Sequence, residues 1–309
     1  MKITIGTRKS QLALWQADYI AAQLRQCQPG VEVVLRHIVT HGDRVQDRPL
    51  PEIGGKGLFT AELEMALHTG AIDLAVHSLK DLPTALVPEF IIGAIPARAS
   101  PFDVLVSGNG YTLDTLPHGA LIGTSSLRRS AQLKAIRPDL VIEPLRGNVP
   151  TRVEKTRNGA YDAVVLAAAG LDRLAMADYI TQILPAAMML PAPAQGALGV
   201  QCRTDDQAIR AMLAPLDDSG TRVVVTAERA FLHALDSGCR LPVAALAQID
   251  GDQLRLIGRV ISLDGEQVIE VGGTSDLSEA EALGTRLAQS ALKQGARAIL
   301  QAIEAQIES

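Results

Sequence analysis

The chain has 309 residues, 47% of them hydrophobic, enough for two or three packed domains, and a formal net charge of -5 excludes a general attraction to nucleic acid. An aromatic content of 3% excludes stacking platforms for single strands, and no apolar run approaches the ~18 residues of a membrane span. Cys27, Cys202 and Cys239 are odd in number, far apart and without CxxC metal spacing, and His41 and His77 lack spaced partners, so no metal is expected.

Met1-Lys2-Ile3-Thr4-Ile5-Gly6 is a strand-like alternation entered without a basic leader, which together with the odd cysteine count predicts a reducing cytosol. A helix is expected from Gln11 to about Gln26, with Leu12, Trp15, Tyr19 and Ala22 on one face and Pro29-Gly30 ending it. Val31 to Val39 is the next strand. The segment from His41 to Gly57 has no apolar period but contains Gly42, Pro49, Pro51, Gly54, Gly55 and Gly57, which predicts a long functional lid. A helix then runs from Leu58 to Leu67 and a buried strand from Ala71 to Val76. His77-Ser78-Leu79-Lys80-Asp81-Leu82-Pro83 is the turn at its carboxyl end, where open α/β sheets form their pockets.

From Leu121 to Arg152 the pattern changes character. A short strand ends at Gly123, Ser125 or Ser126 caps a helix, and Arg128 and Arg129 fall in its first turn, followed by Arg146-Gly147-Asn148 and Arg152. Cations at a helix start oppose the macrodipole by about a few tenths of a kcal/mol or more. A bound carboxylate or phosphate would offset this through forked hydrogen bonds; a solvated basic face is the alternative.

An internal repeat points to duplicated lobes. Ile5-Gly6-Thr7 recurs as Ile122-Gly123-Thr124, and Gly70-Ala71-Ile72-Asp73 as Gly159-Ala160-Tyr161-Asp162, each ahead of an apolar strand. The offsets are 117 (122 − 5) and 89 (159 − 70), a difference of 28 that the long loop could absorb. Two such lobes facing each other would bring the helix starts with Arg8 and Arg128 to one cleft. Pro191 to Arg203 is strand-like and is expected to cross between lobes. Thr221 to Leu235 is a helix, and Ala244 to Ile249, Gln253 to Ser262 and Gln267 to Gly273 alternate as a three-stranded antiparallel sheet. Ser278 to Ile307 closes the chain as one long helix or two shorter ones, with Gly295 as the place for a break.

Two residues stand out chemically. Asp81 is the only carboxylate in its turn; it is either turn chemistry or a carboxylate at a cationic cleft mouth, partner to a cationic or N–H-bearing intermediate. Cys239, between Gly238 and Arg240, is either a small buried hydrophobe or an exposed thiolate capable of covalent attachment. Gly54-Gly55-Lys56-Gly57 lacks the GxxxxGK[ST] spacing of a phosphate loop, which argues against a nucleotide-using transferase.

In order along the chain stand Gly6-Thr7-Arg8-Lys9-Ser10-Gln11-Leu12-Ala13-Leu14-Trp15-Gln16, Gly54-Gly55-Lys56-Gly57-Leu58-Phe59 and Val76-His77-Ser78-Leu79-Lys80-Asp81. Gly123-Thr124-Ser125-Ser126-Leu127-Arg128-Arg129, Leu145-Arg146-Gly147-Asn148 and Gly238-Cys239 follow. Together they closely resemble the hydroxymethylbilane synthase, or porphobilinogen deaminase, family over essentially the whole chain. The resemblance implies an α/β fold of two periplasmic-binding-protein-like (type II) lobes plus a small C-terminal α+β domain with a three-stranded antiparallel sheet. The implied limits are 1–97 with 194–215 for the first lobe, 98–193 for the second, and 216–309 for the C-terminal domain carrying the cysteine.

It further implies a monomeric cytoplasmic transferase that joins four porphobilinogens head to tail, with loss of ammonia, into hydroxymethylbilane for haem-type pigment synthesis. The family primes growth on a dipyrromethane cofactor, itself two porphobilinogen units, held by a thioether to the residue matching Cys239. By the same resemblance Asp81 is the catalytic carboxylate, and Asp81, Lys80, Ser126, Arg128, Arg129, Arg146 and Gly147 hold the cofactor. Arg8, Ser10, Lys56, Arg98, Arg146, Arg152, Arg173 and Gln195 match substrate binders. Neither nucleic acid nor membrane is an implied partner. Glu52, Phe102, Ser237 and Ala244 depart from residues frequent in the family: lysine, arginine and, at the last two, glycine. The rival reading is a non-catalytic two-lobed binding protein for an anionic small molecule, which leaves Asp81 and the cysteine domain without a role.

Overall fold

A computed structural model describes residues 1–44, 60–236 and 241–308. Along the chain lie β1 (Lys2–Thr7), α1 (Gln11–Cys27), β2 (Glu32–His37), α2 (His41–Arg44), α3 (Ala61–His68), β3 (Leu74–Ser78), β4 (Phe90–Ala94) and β5 (Asp103–Val106). Next come β6 (Leu121–Gly123), α4 (Leu127–Ile136), β7 (Val141–Glu143), α5 (Val149–Arg157), β8 (Ala163–Ala167), α6 (Ala168–Arg173) and β9 (Gln182–Leu184). The chain continues through β10 (Leu198–Arg203), α7 (Gln207–Leu213), α8 (Ser219–Ala234), β11 (Val243–Asp250), β12 (Gln253–Ile261), β13 (Val268–Asp276), α9 (Ala280–Ala291) and α10 (Arg297–Glu308).

Two five-stranded sheets share one plan. The first has the order β2-β1-β3-β10-β4 and the second β7-β6-β8-β5-β9. In each, the three strands of the repeat run parallel, and the fourth is antiparallel to its neighbours. That antiparallel strand comes from a distant part of the chain in both cases: β10 enters the first sheet long after β4, and β5 enters the second ahead of β6. By contacts the described chain forms two compact units, residues 1–44 and 60–99 with Ala197–Arg222, and Ser100–Gly196 with residues 223–236 and 241–308.

The repeat is visible bond by bond. Asp73 Oδ2 accepts from Thr4 N at 2.7 Å, and Asp162 Oδ2 accepts from Leu121 N at 2.7 Å, so the same carboxylate pins the same strand start in each lobe. Ahead of each aspartate a helix ends on a left-handed glycine, Gly70 (φ 68°) and Gly159 (φ 75°), a backbone conformation that a Cβ disfavours. Strand pairing puts Ile5 beside Leu35 and Ile122 beside Ile142, an offset of 107 for the second strand (142 − 35). The loop therefore accounts for 18 of the 28 extra residues (107 − 89), and the other 10 (117 − 107) lie between the first two strands, where α1 has 17 residues and α4 has 10.

Helix α1 buries a different face from the one expected. Gln16, Ala17, Ile20, Ala21 and Leu24 go inward, Ala22 is exposed, and Trp15 and Tyr19 lie at the margin with rings stacked 5.2 Å apart. Small and aliphatic side chains let the helix approach the sheet closely, and the bulky rings are left to cover its edge. The strand expected at residues 71–76 is Leu74–Ser78, so His77 and Ser78 belong to the strand itself and the turn begins at Leu79.

In the C-terminal domain β11, β12 and β13 form the expected antiparallel sheet in sequence order. Its inner face packs on α8, α9 and α10 around Phe231, which is fully buried. The closing helices break at Gly295, whose φ is 106°. This sheet also meets α4 within the same unit, where Arg259 Nη1 donates to Gln132 Oε1 at 2.9 Å.

Candidate active site

At the start of α4 the two candidate caps divide their work. Ser126 Oγ accepts from Arg129 N as the N-cap, whereas Ser125 Oγ bridges the backbone of Leu145, donating to its carbonyl at 2.9 Å and accepting from its N–H at 3.0 Å. The serine pair thus ties the helix start to the loop carrying Arg146 and Gly147.

Arg128 and Arg129 do not form a solvated basic face. They are 4% and 6% exposed, and between them lies Asp103, 0% exposed, at the head of the wholly buried strand β5. Arg128 Nη1 stands 2.7 Å from Asp103 Oδ2 and donates to Leu190 O at 2.7 Å. Arg129 donates to Asp103 Oδ1 from Nε (3.0 Å) and Nη2 (2.7 Å), and from Nη1 to Val165 O at 2.8 Å. Gln195, also 0% exposed, completes the cluster, its Nε2 donating to Asp103 Oδ1 at 3.0 Å and Pro101 O at 2.7 Å. Burial lowers the basicity of Arg128, the carboxylate opposes that shift, and the charge of Arg129 adds to it.

Three further arginines of the second lobe belong to the expected site. Arg146 and Arg152 are half-buried on either side of Asn148, the N-cap of α5, whose Oδ1 accepts from Thr151 N at 2.9 Å. Gly147 has φ 114°, a conformation that favours glycine, and its carbonyl accepts from Arg152 Nε at 2.8 Å. Arg173 at the end of α6 donates from Nη2 to Gly196 O at 2.7 Å.

In the other unit, Ser10 caps α1 by accepting from Ala13 N at 3.2 Å, and Arg8, half-buried, immediately precedes the cap. Arg98 is half-buried, and its backbone N–H donates to Thr221 Oγ1 at 3.1 Å. Lys80 and Asp81 sit on a single 3-10 turn, Leu79–Asp81, directly after β3, with Lys80 half-buried and Asp81 exposed. Leu79 is buried, and its N–H donates to Ala197 O at 3.0 Å, which anchors the turn to the strand entering from the far part of the chain.

Lys56, Glu52, Ser237 and Cys239 lie outside the described residues. Two departures from the family pattern meet in space: Phe102 and Ala244 belong to one apolar cluster with Leu190 and Leu246. The bulk of the ring and the added methyl fill a common space.

Two buried carboxylates escaped sequence reasoning. Asp103 is one; a lone charge opening the apolar run Asp103-Val104-Leu105-Val106 was its signal. Glu228 is the other, 0% exposed within α8, accepting from Ala194 N at 2.6 Å and Ala247 N at 2.9 Å and so joining the segment before β10 to the C-terminal sheet. Among the described residues no group of three or more His, Cys, Asp or Glu could hold a metal ion, and no helix is long and apolar enough to cross a membrane.

Two five-stranded sheets of one strand plan, cations at helix starts and connecting loops, and a C-terminal α+β domain define an α/β protein built on a duplicated lobe. The family "porphobilinogen deaminase, dipyromethane cofactor binding domain" matches residues 3–211, and its "C-terminal domain" matches residues 223–293. The porphobilinogen deaminase of Roseiflexus castenholzii is 50% identical over 300 residues, covering 96% of this chain and 98% of that one. Those of Syntrophotalea carbinolica (48% over 302 residues, 98% and 96%) and Brevibacillus brevis (47% over 300 residues, 97% and 96%) are similar to the same extent. The chain belongs to the porphobilinogen deaminase family, the hydroxymethylbilane synthases (EC 2.5.1.61), transferases of tetrapyrrole biosynthesis whose first domain type binds dipyrromethane.

Proposed function

We propose that this chain joins four porphobilinogens head to tail with loss of ammonia, acting as a cytoplasmic monomer on a primer attached to Cys239. The observation that carries the reading is the cluster at the start of α4. Two guanidinium groups share one carboxylate among the described residues, all nine-tenths buried or more, at the end of a helix that already favours an anion. Two guanidinium groups against one carboxylate leave the cluster a net positive charge, which suits a ligand rich in carboxylates, and every pyrrole unit of this substrate class carries an acetate and a propionate.

Dipyrromethane, when bound, would supply the free pyrrole carbon onto which the first unit is joined. Ser126, Arg128, Arg129, Arg146 and Gly147, with Lys80 and Asp81, would hold its carboxylates and ring N–H groups, and Cys239 its thioether. Arg8, Ser10, Lys56, Arg98, Arg146, Arg152, Arg173 and Gln195 would take the carboxylates of the incoming porphobilinogen and of the growing chain. Asp81 is the catalytic residue in this reading. Its carboxylate accepts from the pyrrole N–H and stabilises the positive charge left on the substrate as ammonia departs. The domains are drawn at 1–97 with 194–215, 98–193, and 216–309.

Intact mass after denaturation tests the attachment: the wild type should carry two pyrrole units, and Cys239→Ala none. Full porphobilinogen turnover by Cys239→Ala with no adduct anywhere would overturn the reading.

A further inference from the structure

The mechanism above gives the buried imidazole of His77 no task. His77 is 7% exposed and four residues from Asp81. Its strand β3 is poorly held at that point: β1 pairs with β3 only at Leu74 and Ala75, and beyond them β10 alone continues the ladder to Ser78. The strand thus loses one backbone neighbour just before the turn that carries Lys80 and Asp81.

Side chains take over on both faces. Successive residues of a strand point to opposite sides. Leu74 and Val76 join the core beneath α1, and Ser78 follows them, its Oγ accepting from the buried Gln16 of α1 at 2.9 Å. Ala75 joins the core beneath α3, and His77 follows it, its Nε2 lying 3.0 Å from Oε1 of the buried Gln201 on β10. Gln201 in turn donates from Nε2 to Glu64 Oε1 of α3 at 2.9 Å. With the amide nitrogen spent on Glu64, its oxygen is the end that faces the ring, so His77 carries its proton on Nε2 and the chain runs donor to acceptor from ring to carboxylate.

We propose that His77 is a positioning residue for the Lys80–Asp81 turn, one arm of a two-sided polar brace whose other arm is Gln16–Ser78. Burial, with Arg8 adding to it and the Gln201 hydrogen bond opposing, brings the imidazole down to about 4, so the brace is a neutral hydrogen bond across the working pH range. The proposal rests on the reading of Asp81 as the catalytic carboxylate. A turn displaced by about an ångström is enough to cost a large factor in rate without disturbing distant binding contacts.

The test uses the full-length, cofactor-loaded enzyme. His77→Leu should lower kcat for porphobilinogen by roughly tenfold or more while KM changes less than about threefold and the adduct mass is unchanged. Gln16→Leu should do the same from the opposite face. His77→Gln puts an amide N–H near the position of Nε2 and should restore most of the wild-type kcat, a rescue that lost packing alone would not predict. Wild-type kcat in a folded, loaded His77→Leu enzyme overturns the brace. So does a His77→Gln enzyme as slow as His77→Leu, and that comparison with Gln16→Leu decides if His77→Leu fails to fold. Full turnover by Asp81→Asn would remove the reading of Asp81, and it is measured independently of the brace variants.

Discussion

The two lobes begin alike and then treat their cations in opposite ways. In the first, Arg8 and Lys9 come before the cap Ser10, and both keep contact with solvent; in the second, Arg128 and Arg129 come after the cap Ser126 and are buried on Asp103. A shift of a few residues across a helix cap therefore turns solvent-accessible cations into members of a buried ion cluster. The lesson is that positive charge at a helix start is no single device: outside the cap it stays in contact with solvent, and inside the first turn it is desolvated and needs a counter-charge from its own fold.

Asp103→Asn should break this contrast most severely, since it leaves two buried guanidinium groups without their carboxylate. A loss of about 3 to 5 kcal/mol in denaturant unfolding is expected, with failure to retain the adduct by mass. Arg8→Ala should instead leave stability within about 0.5 kcal/mol and raise KM.

The second effect separates the lobes by pH. His77 has a folded pKa of about 4 against an ordinary 6.5, so between those values the unfolded chain binds the extra proton and stability falls as pH is lowered from about 6.5 to about 4. The loss is roughly 3 kcal/mol at the acid end, and His77→Gln should remove it from the pH dependence of chemical denaturation.

Smaller and symmetric effects are expected where the lobes agree. Asp73→Asn and Asp162→Asn should each cost about 1 to 2 kcal/mol, because each weakens the matching hydrogen bond to β1 or β6, the equivalent strands of the repeat. Ser10→Ala and Ser126→Ala should each cost about 1 kcal/mol as lost caps, and thermal unfolding of the four variants would show whether the lobes respond equally.

Much of this architecture was legible before any coordinates. The repeated Ile-Gly-Thr and Gly-Ala-x-Asp segments report the duplicated lobe because they meet local demands: a left-handed residue after a helix, and a carboxylate for the N–H of the neighbouring strand. The alternation from Ala244 to Gly273 and the break at Gly295 are equally local. The buried face of α1 differs from the expected one because Trp15 and Tyr19, its two aromatic side chains, lie at the margin, and small and aliphatic residues face the sheet. Asp103 and Gln201 were missed for another reason: each matters through a partner far along the chain, and neither lies in a motif.

Alone, the sequence determined the duplicated segments, the C-terminal antiparallel strands and which residue types could meet an anion, since these depend on neighbours a few positions apart and on the chemistry of single side chains. Only the tertiary structure decided that Arg128 and Arg129 share one buried carboxylate and that His77 reaches α3 through Gln201. Burial and charge pairing depend on residues brought together from separate segments, and desolvation makes those partners decisive for each group's energy.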